Sequence, residues 1–273
     1  MSFSILPEEI KIEIFNLLSI SNRYNASLVW REMSYETWRS IPTVEELKRR
    51  LTDKFGRIAI QNLDDLEKAG VLASAQNLVS VKDLFLQSID VTNVPINIVN
   101  SLAKVVEGTL HLKNVTGINF SMLENINCET LSLQSMPVPT QINQEICVPG
   151  RVTLNRITSD ISEFFDSITC QDMEFYDIKW NNSQARSLTE MLNGRVRNLR
   201  FNGYFDKLTH TLDPSILANY DGLGQCESMF FEDEDDSIAS IKEYLSPWAA
   251  SKGWIVTQDN LTLFEIKRAT QQN

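Results

Sequence analysis

Only two histidines, His111 and His210, occur in this sequence, far apart in the chain and each without a partner at metal-ligand spacing. Imidazole is the side chain best suited to acid–base and metal chemistry near neutral pH, so its scarcity is informative. No His-Glu-x-x-His, Walker loop or Gly-x-Ser-x-Gly elbow is present. Asp221-Gly222-Leu223-Gly224 carries glycines, but it precedes an expected strand at Met229 instead of following one. A phosphate loop needs the opposite order, so this segment reads as a turn. Among four cysteines there is no Cys-x-x-Cys pair, and Cys128, Cys170 and Cys226 each stand three residues before an apolar pair. A recurring slot of that kind reads as a small buried thiol at a helix-to-strand corner, with no disulfide. The expectation is therefore no catalytic residue, no metal ligand and no cofactor. What remains is recognition chemistry, with aromatic rings as anchors and polar groups that orient a partner.

The elements that position such groups follow from a repeated pattern. Each signature has an apolar residue, one spacer and a second apolar residue, usually with a third three positions on. They are Leu84/Leu86/Ile89, Leu110/Leu112/Val115, Leu131/Leu133/Met136, Val152/Leu154/Ile157, Met173/Phe175/Ile178, Leu199/Phe201/Tyr204 and Met229/Phe231. First positions are 26, 21, 21, 21, 26 and 30 residues apart. Short alternation marks a strand, and its recurrence at this period marks stacked units, none of which can bury its apolar face alone. The pattern resembles leucine-rich repeats over residues 76–273. It departs from them where the family has Asn three residues after the second strand Leu. Here that position holds Ile89, Val115, Met136, Ile157 and Ile178, so the turn must be closed another way.

The resemblance implies an α/β fold, a curved solenoid with parallel strands on its concave face and helices or turns outside. Segments such as Ser183 to Leu192 would supply helices, and Phe120 to Ile126 only a turn or two. Side chains alternate along a strand, so residues between the buried pairs point outward. On that phasing Phe85, His111, Tyr176, Arg200 and Phe230 are the expected target-binding groups, among polar neighbours such as Thr109, Ser132, Arg151, Glu174 and Asn202. A helix over Ile238, Ile241, Tyr244 and Leu245, restarted at Ser246-Pro247, would precede a hairpin with its turn at Gln258-Asp259-Asn260 and cap the open end.

The first residues follow a helical period instead. Ile10, Ile14, Leu17 and Leu18 form one stripe, with Pro7 in the first turn and Glu8 and Glu9 favoured by the helix dipole. A second helix capped by Ser21 or Asn22 runs through Ala26, Leu28 and Val29, ahead of Trp30, Met33, Tyr35 and Trp38. Leu6-Pro7-Glu8-Glu9-Ile10, Ile14-Phe15, Leu17-Leu18 and Ser27-Leu28-Val29 with Trp38 resemble an F-box. Departures are Ser19-Ile20 at a frequent Asp-Pro turn, Arg23 at a usually apolar position, and Met33 for a common Trp. The resemblance implies a Skp-type adaptor, docked by Leu6, Pro7, Ile10, Ile14, Leu17, Leu28 and Val29. Through that adaptor it implies a cullin–RING ubiquitin ligase. A plain helical cap over the first repeat is the other reading of the same helices. The expected division is residues 1–45 as the F-box-like helical domain, 46–75 as a helical linker or N-terminal cap, and 76–273 as the array with its closing helix and hairpin.

Within the linker, Glu45 and Arg49, and Glu46 and Arg50, stand at pairing distance on a helix, and Lys48, Arg49, Arg50, Lys54 and Arg57 read as a solvated face. Residues 1–60 hold 9 Lys/Arg against 8 Asp/Glu. The 16 basic and 28 acidic residues that follow give 61–273 a net charge of −12. That surface disfavours nucleic acid and would suit a basic protein target. The acidic run Glu232 to Asp236 reads as a solvated loop. No apolar run is long enough to span a membrane, and charges interrupt the N-terminus too early for a signal peptide, so cytoplasm or nucleus is expected.

Overall fold

The computed structural model describes residues 7–29, 41–123, 125–137, 145–157, 159, 161, 164, 167–178, 196–202, 226–232 and 238–269. Leu6, Trp30 to Trp38, the expected helix Ser183 to Leu192, Tyr204 and Asp233 to Asp236 lie outside them.

Pro7 precedes helix α1 (Glu8–Asn16), where its lack of an N–H removes one unpaired donor. Helix α2 (Ile20–Val29) begins one residue before the expected caps, and the Ser19 hydroxyl accepts from the Asn22 amide at 3.4 Å. Arg23 explains its unusual place. Its guanidinium donates to the carbonyls of Leu18 (3.0 Å) and Asn16 (2.7 Å), which the end of α1 leaves unpaired. Helix α3 (Val44–Leu51) opens with a reciprocal capping box between Thr43 and Glu46. That use of Glu46, together with an ion pair of Arg50 to Asp65, replaces the expected Glu46–Arg50 pair.

Among the described residues ten strands form one open, mostly parallel sheet beside a few helices, a mixed α/β architecture. They are β1 (Ile58–Ile60), β2 (Leu84–Gln87), β3 (Thr109–Lys113), β4 (Thr130–Gln134), β5 (Ile146–Asn155), β6 (Ile168–Tyr176), β7 (Val196–Asn202), β8 (Ser228–Glu232), β9 (Trp254–Asp259) and β10 (Leu263–Arg268). Their order is β1-β2-β3-β4-β5-β6-β7-β8-β10-β9, parallel from β1 to β8 and antiparallel in the last two pairings. The register aligns the sequence signatures. Leu84, Leu110, Leu131, Val152, Met173, Leu199 and Met229 are successive partners, and Leu86, Leu112, Leu133, Leu154, Phe175, Phe201 and Phe231 form the second buried row. The sheet starts earlier than expected, because the stretch read as a helical linker contains β1, with Ile58 and Ile60 buried.

Helix α4 (Leu63–Ser74) packs on helix α5 (Ile96–Lys104) through Gly70. A Cβ there would lie 2.9 Å from the Ile98 carbonyl oxygen, so the glycine permits the close approach. The segment from Phe120 makes only the 3-10 turn Phe120–Met122. Helix α6 (Ile238–Ser251) runs unbroken through Pro247, without the expected restart, and buries Trp248 against Trp254. The hairpin turn falls at Asn260 to Thr262, whose Asn260 side chain accepts from the amides of Thr262 and Leu263. Leu261 is therefore exposed at the tip instead of lying in a strand.

Backbone geometry closes the turns that follow the strands. Ser88, Asn114, Ser135, Arg156 and Asp177, each just past a strand, hold positive φ between 49° and 55°. Their amides donate to the carbonyls of Lys113, Gln134, Asn155, Tyr176 and Asn202, forming a ladder along the strand ends at 2.9–3.3 Å. The left-handed turn lets the next residue, from Ile89 to Ile157, point back into the core. Left-handed backbone costs an L-residue about 1–2 kcal/mol. Ser135→Gly should therefore raise stability by up to about 1 kcal/mol after the entropy loss of glycine, and Ser135→Val should lower it. Equilibrium urea unfolding checks both signs.

Candidate functional site: the open face of the sheet

The sheet face opposite the two buried rows carries three rows of partly exposed side chains. The middle row reads Phe85, His111, Ser132, Thr153, Glu174, Arg200, Phe230 and Glu265, each the register partner of the next. Four of the five expected groups, Phe85, His111, Arg200 and Phe230, share this row, and Tyr176 stands in the row beside it. All five are half-buried. They form two clusters, one at each end, separated by the small hydroxyls of Ser132 and Thr153.

At the β2–β3 end the Phe85 and His111 rings stack with centroids 4.7 Å apart. The Arg57 guanidinium lies 4.0 Å from the Phe85 centroid and 4.6 Å from that of Phe55, so it is sandwiched between two rings. Asp53 builds this arrangement. Its carboxylate accepts from the amides of Phe55 (2.8 Å) and Arg57 (3.0 Å) and pairs with the Arg57 side chain at 2.8 Å. Arg57 holds the Asp53 carboxyl below its ordinary range. Gly56 supplies the positive φ of 79° that the turn needs. Lys54 and Arg57 thus belong to a turn against aromatic rings, not to the solvated helix face expected of them. Burial, and then the cations of Lys113 and Arg57, push the His111 pKa down, although its bond with Gln134 opposes this.

At the β6–β8 end the organising group is Glu174. It is 5% exposed, a correction to its expected outward position. Arg151 on β5 reaches it at 3.1 Å and Arg200 on β7 at 3.9 Å, while the Tyr176 hydroxyl donates to it at 3.2 Å. Arg151 also approaches Asp172 (3.6 Å), and Arg200 pairs with Glu232 (3.1 Å) while covering Phe230 at 4.4 Å. Burial and the Glu174 charge raise the Tyr176 pKa. A buried charge requires a partner, so this carboxylate recruits two arginines and fixes them. Replacing both arginines, as Arg151→Ala with Arg200→Ala, leaves Glu174 without a cation. Stability should then fall by about 3–5 kcal/mol, and adding Glu174→Gln, which removes the buried charge, should recover part of the loss. Thermal denaturation of the double and triple variants reads this difference.

The expected adaptor-binding residues sit apart from this face. Ile10, Ile14, Leu17 and Leu28 are exposed on α1 and α2, as is Pro7, whereas Phe15 and Tyr24 are buried. The side chain of Val29 lies outside the described residues, as does Leu6.

Cys128, Cys170 and Cys226 are buried free thiols, with burial pushing their pKa values up to about 11, 12 and 12, while Cys147 is exposed. Among the described residues no group of His, Cys, Asp or Glu could hold a metal ion, and no helix is long and apolar enough to cross a membrane. Sequence reasoning missed Phe55 and the packing of Arg57. The signal that could have found them is Asp53-x-Phe55-Gly56-Arg57, an Asp followed by a turn glycine. In comparison with known proteins, the chain matches no family model, no curated protein and no solved structure.

Proposed function

We propose that this chain is the substrate-recognition subunit of an SCF-type ubiquitin ligase. On this reading α1 and α2 form an F-box that docks a Skp-type adaptor, and the repeats are divergent leucine-rich repeats of a solenoid. Their concave face, the open face of the sheet, binds the protein target. Ubiquitin transfer is carried out by other subunits, and this chain contributes proximity by holding the target within reach.

One observation carries the reading. Ile10, Ile14, Leu17 and Leu28 are 41%, 38%, 87% and 67% exposed on two short helices that together bury few side chains of their own. Large apolar side chains left exposed on two short helices are the kind of surface that a partner covers. These are also the residues that the family resemblance assigns to the adaptor. Purified chain and a Skp-type adaptor should co-elute on size exclusion, and a chain lacking residues 1–40 should not. Co-elution of the shortened chain would refute the reading.

A second reading has its own observation. Tyr24 of α2 joins the core, α2 packs on α4, and Asn97 donates to Asn25 at 3.2 Å. These contacts suit a non-enzymatic interaction protein whose N-terminal helices only cap the first repeat. That reading leaves Leu17 and Leu28 without a role, and it predicts no adaptor binding.

A further inference from the structure

We propose that the β2–β3 end of the open face docks an acidic segment of the protein target, held between the Phe55–Arg57–Phe85–His111 stack and the ammonium groups of Lys54 and Lys113. The proposal deepens the receptor reading and rests on it only in assigning that segment to a target.

Three observations support it. Phe55 is a large ring left 66% exposed at the rim, with Lys54 4.8 Å and Arg57 4.6 Å from its centroid. Lys54, Arg57 and Lys113 bring three cations to the stack. Asp53 balances Arg57, and Asp83, which keeps its charge, accepts from the Thr109 amide at 2.8 Å, so the two lysines still outweigh it. The potential felt by the two titratable rings also differs along the face. The cations of Lys113 and Arg57 act on His111, whereas Tyr176 donates to the anion Glu174, with Arg200 also acting on it. The net negative charge of the chain would suit a basic target, but this end of the face has the opposite character. Charge complementarity favours a segment that brings carboxylates to Lys54 and Lys113 and a planar side chain to the exposed part of Phe55.

Backbone amide NMR of the full chain, titrated with an acetylated and amidated Glu-Glu-Tyr-Glu-Glu peptide, tests this. Saturable shifts are expected along Phe85 to Gln87 and His111 to Lys113, and the corresponding Lys-Lys-Tyr-Lys-Lys peptide should leave those amides unmoved. Lys113→Glu, a change at a half-buried surface position, should weaken the acidic peptide about tenfold and Phe55→Ala by a similar factor, with high salt acting in the same direction. Lys104→Glu, on α5, should leave binding unchanged. Shifts confined to β6–β8, equal response to the basic peptide, or no saturation at millimolar acidic peptide would each overturn the proposal. Adaptor co-elution is read on α1 and α2, so loss of the receptor reading and loss of this one give different results.

Discussion

Phe201→Ala should destabilise the protein by about 3–5 kcal/mol, the usual range for removing a fully packed aromatic ring. Phe201 lies in the second buried row, where leucines occupy β2 to β5 and phenylalanines occupy β6 to β8. Its ring stacks on Phe175 at 5.1 Å and on Phe231 at 5.0 Å, and Phe231 meets Phe264 of β10 at 6.1 Å. The row thus ties the last parallel strands to the closing hairpin by ring contacts that also carry pairwise attraction. Phe230→Ala, on the neighbouring strand but the open face, removes a ring of the same size that Arg200 covers. Its stability cost should be far smaller, because the ring is already half exposed. Urea unfolding of the two variants compares buried and open faces directly. Equal losses would mean that the strand phase is wrong.

Leu133→Ala is expected to cost about 2–5 kcal/mol and to act beyond its own strand. The side chain is fully buried at the centre of the sheet, between Leu112 of β3 and Leu154 of β5. Its register partners flank it on both sides, so a cavity here weakens the β3–β4 and β4–β5 contacts at once. Native-state hydrogen exchange should show lost protection in β3, β4 and β5 together. The ladder amides of Asn114 and Ser135, which bridge the same strands at 3.0 and 2.9 Å, should follow. Loss confined to β4 would mean that the strands unfold as independent units.

The strand positions and their register were readable in the sequence because alternation is a local signal and the period repeats it seven times. Each first-position residue pairs with the next, as the spacing implied. The first strand was not readable, since Ile58 and Ile60 give a single three-residue alternation beside a strongly charged helix. The turn closure was not readable either. It depends on backbone donors from Ser88 and its equivalents, and main-chain geometry leaves little trace in side-chain identity. At the open face, the alternation correctly turned Phe85, His111, Arg200 and Phe230 outward. The burial of Glu174 escaped it, because the two covering arginines come from other strands, at positions 151 and 200. Pairings of that kind appear only once the strands are side by side.

The central claim is that the exposed apolar face of α1 and α2 is an adaptor surface, and calorimetric titration of a purified Skp-type adaptor into the full chain tests it most directly. A well-buried isoleucine at an interface contributes about 2 kcal/mol or more, so Ile14→Asp should weaken binding by at least about thirtyfold. Ile14 is partly exposed on α1 and is not part of the core, so the variant should keep the unfolding transition of the parent. Phe230→Ala, on the open face, should bind the adaptor with unchanged affinity. The account predicts that order. It is contradicted if the full chain releases no binding heat with the adaptor, or if Ile14→Asp binds as tightly as the parent.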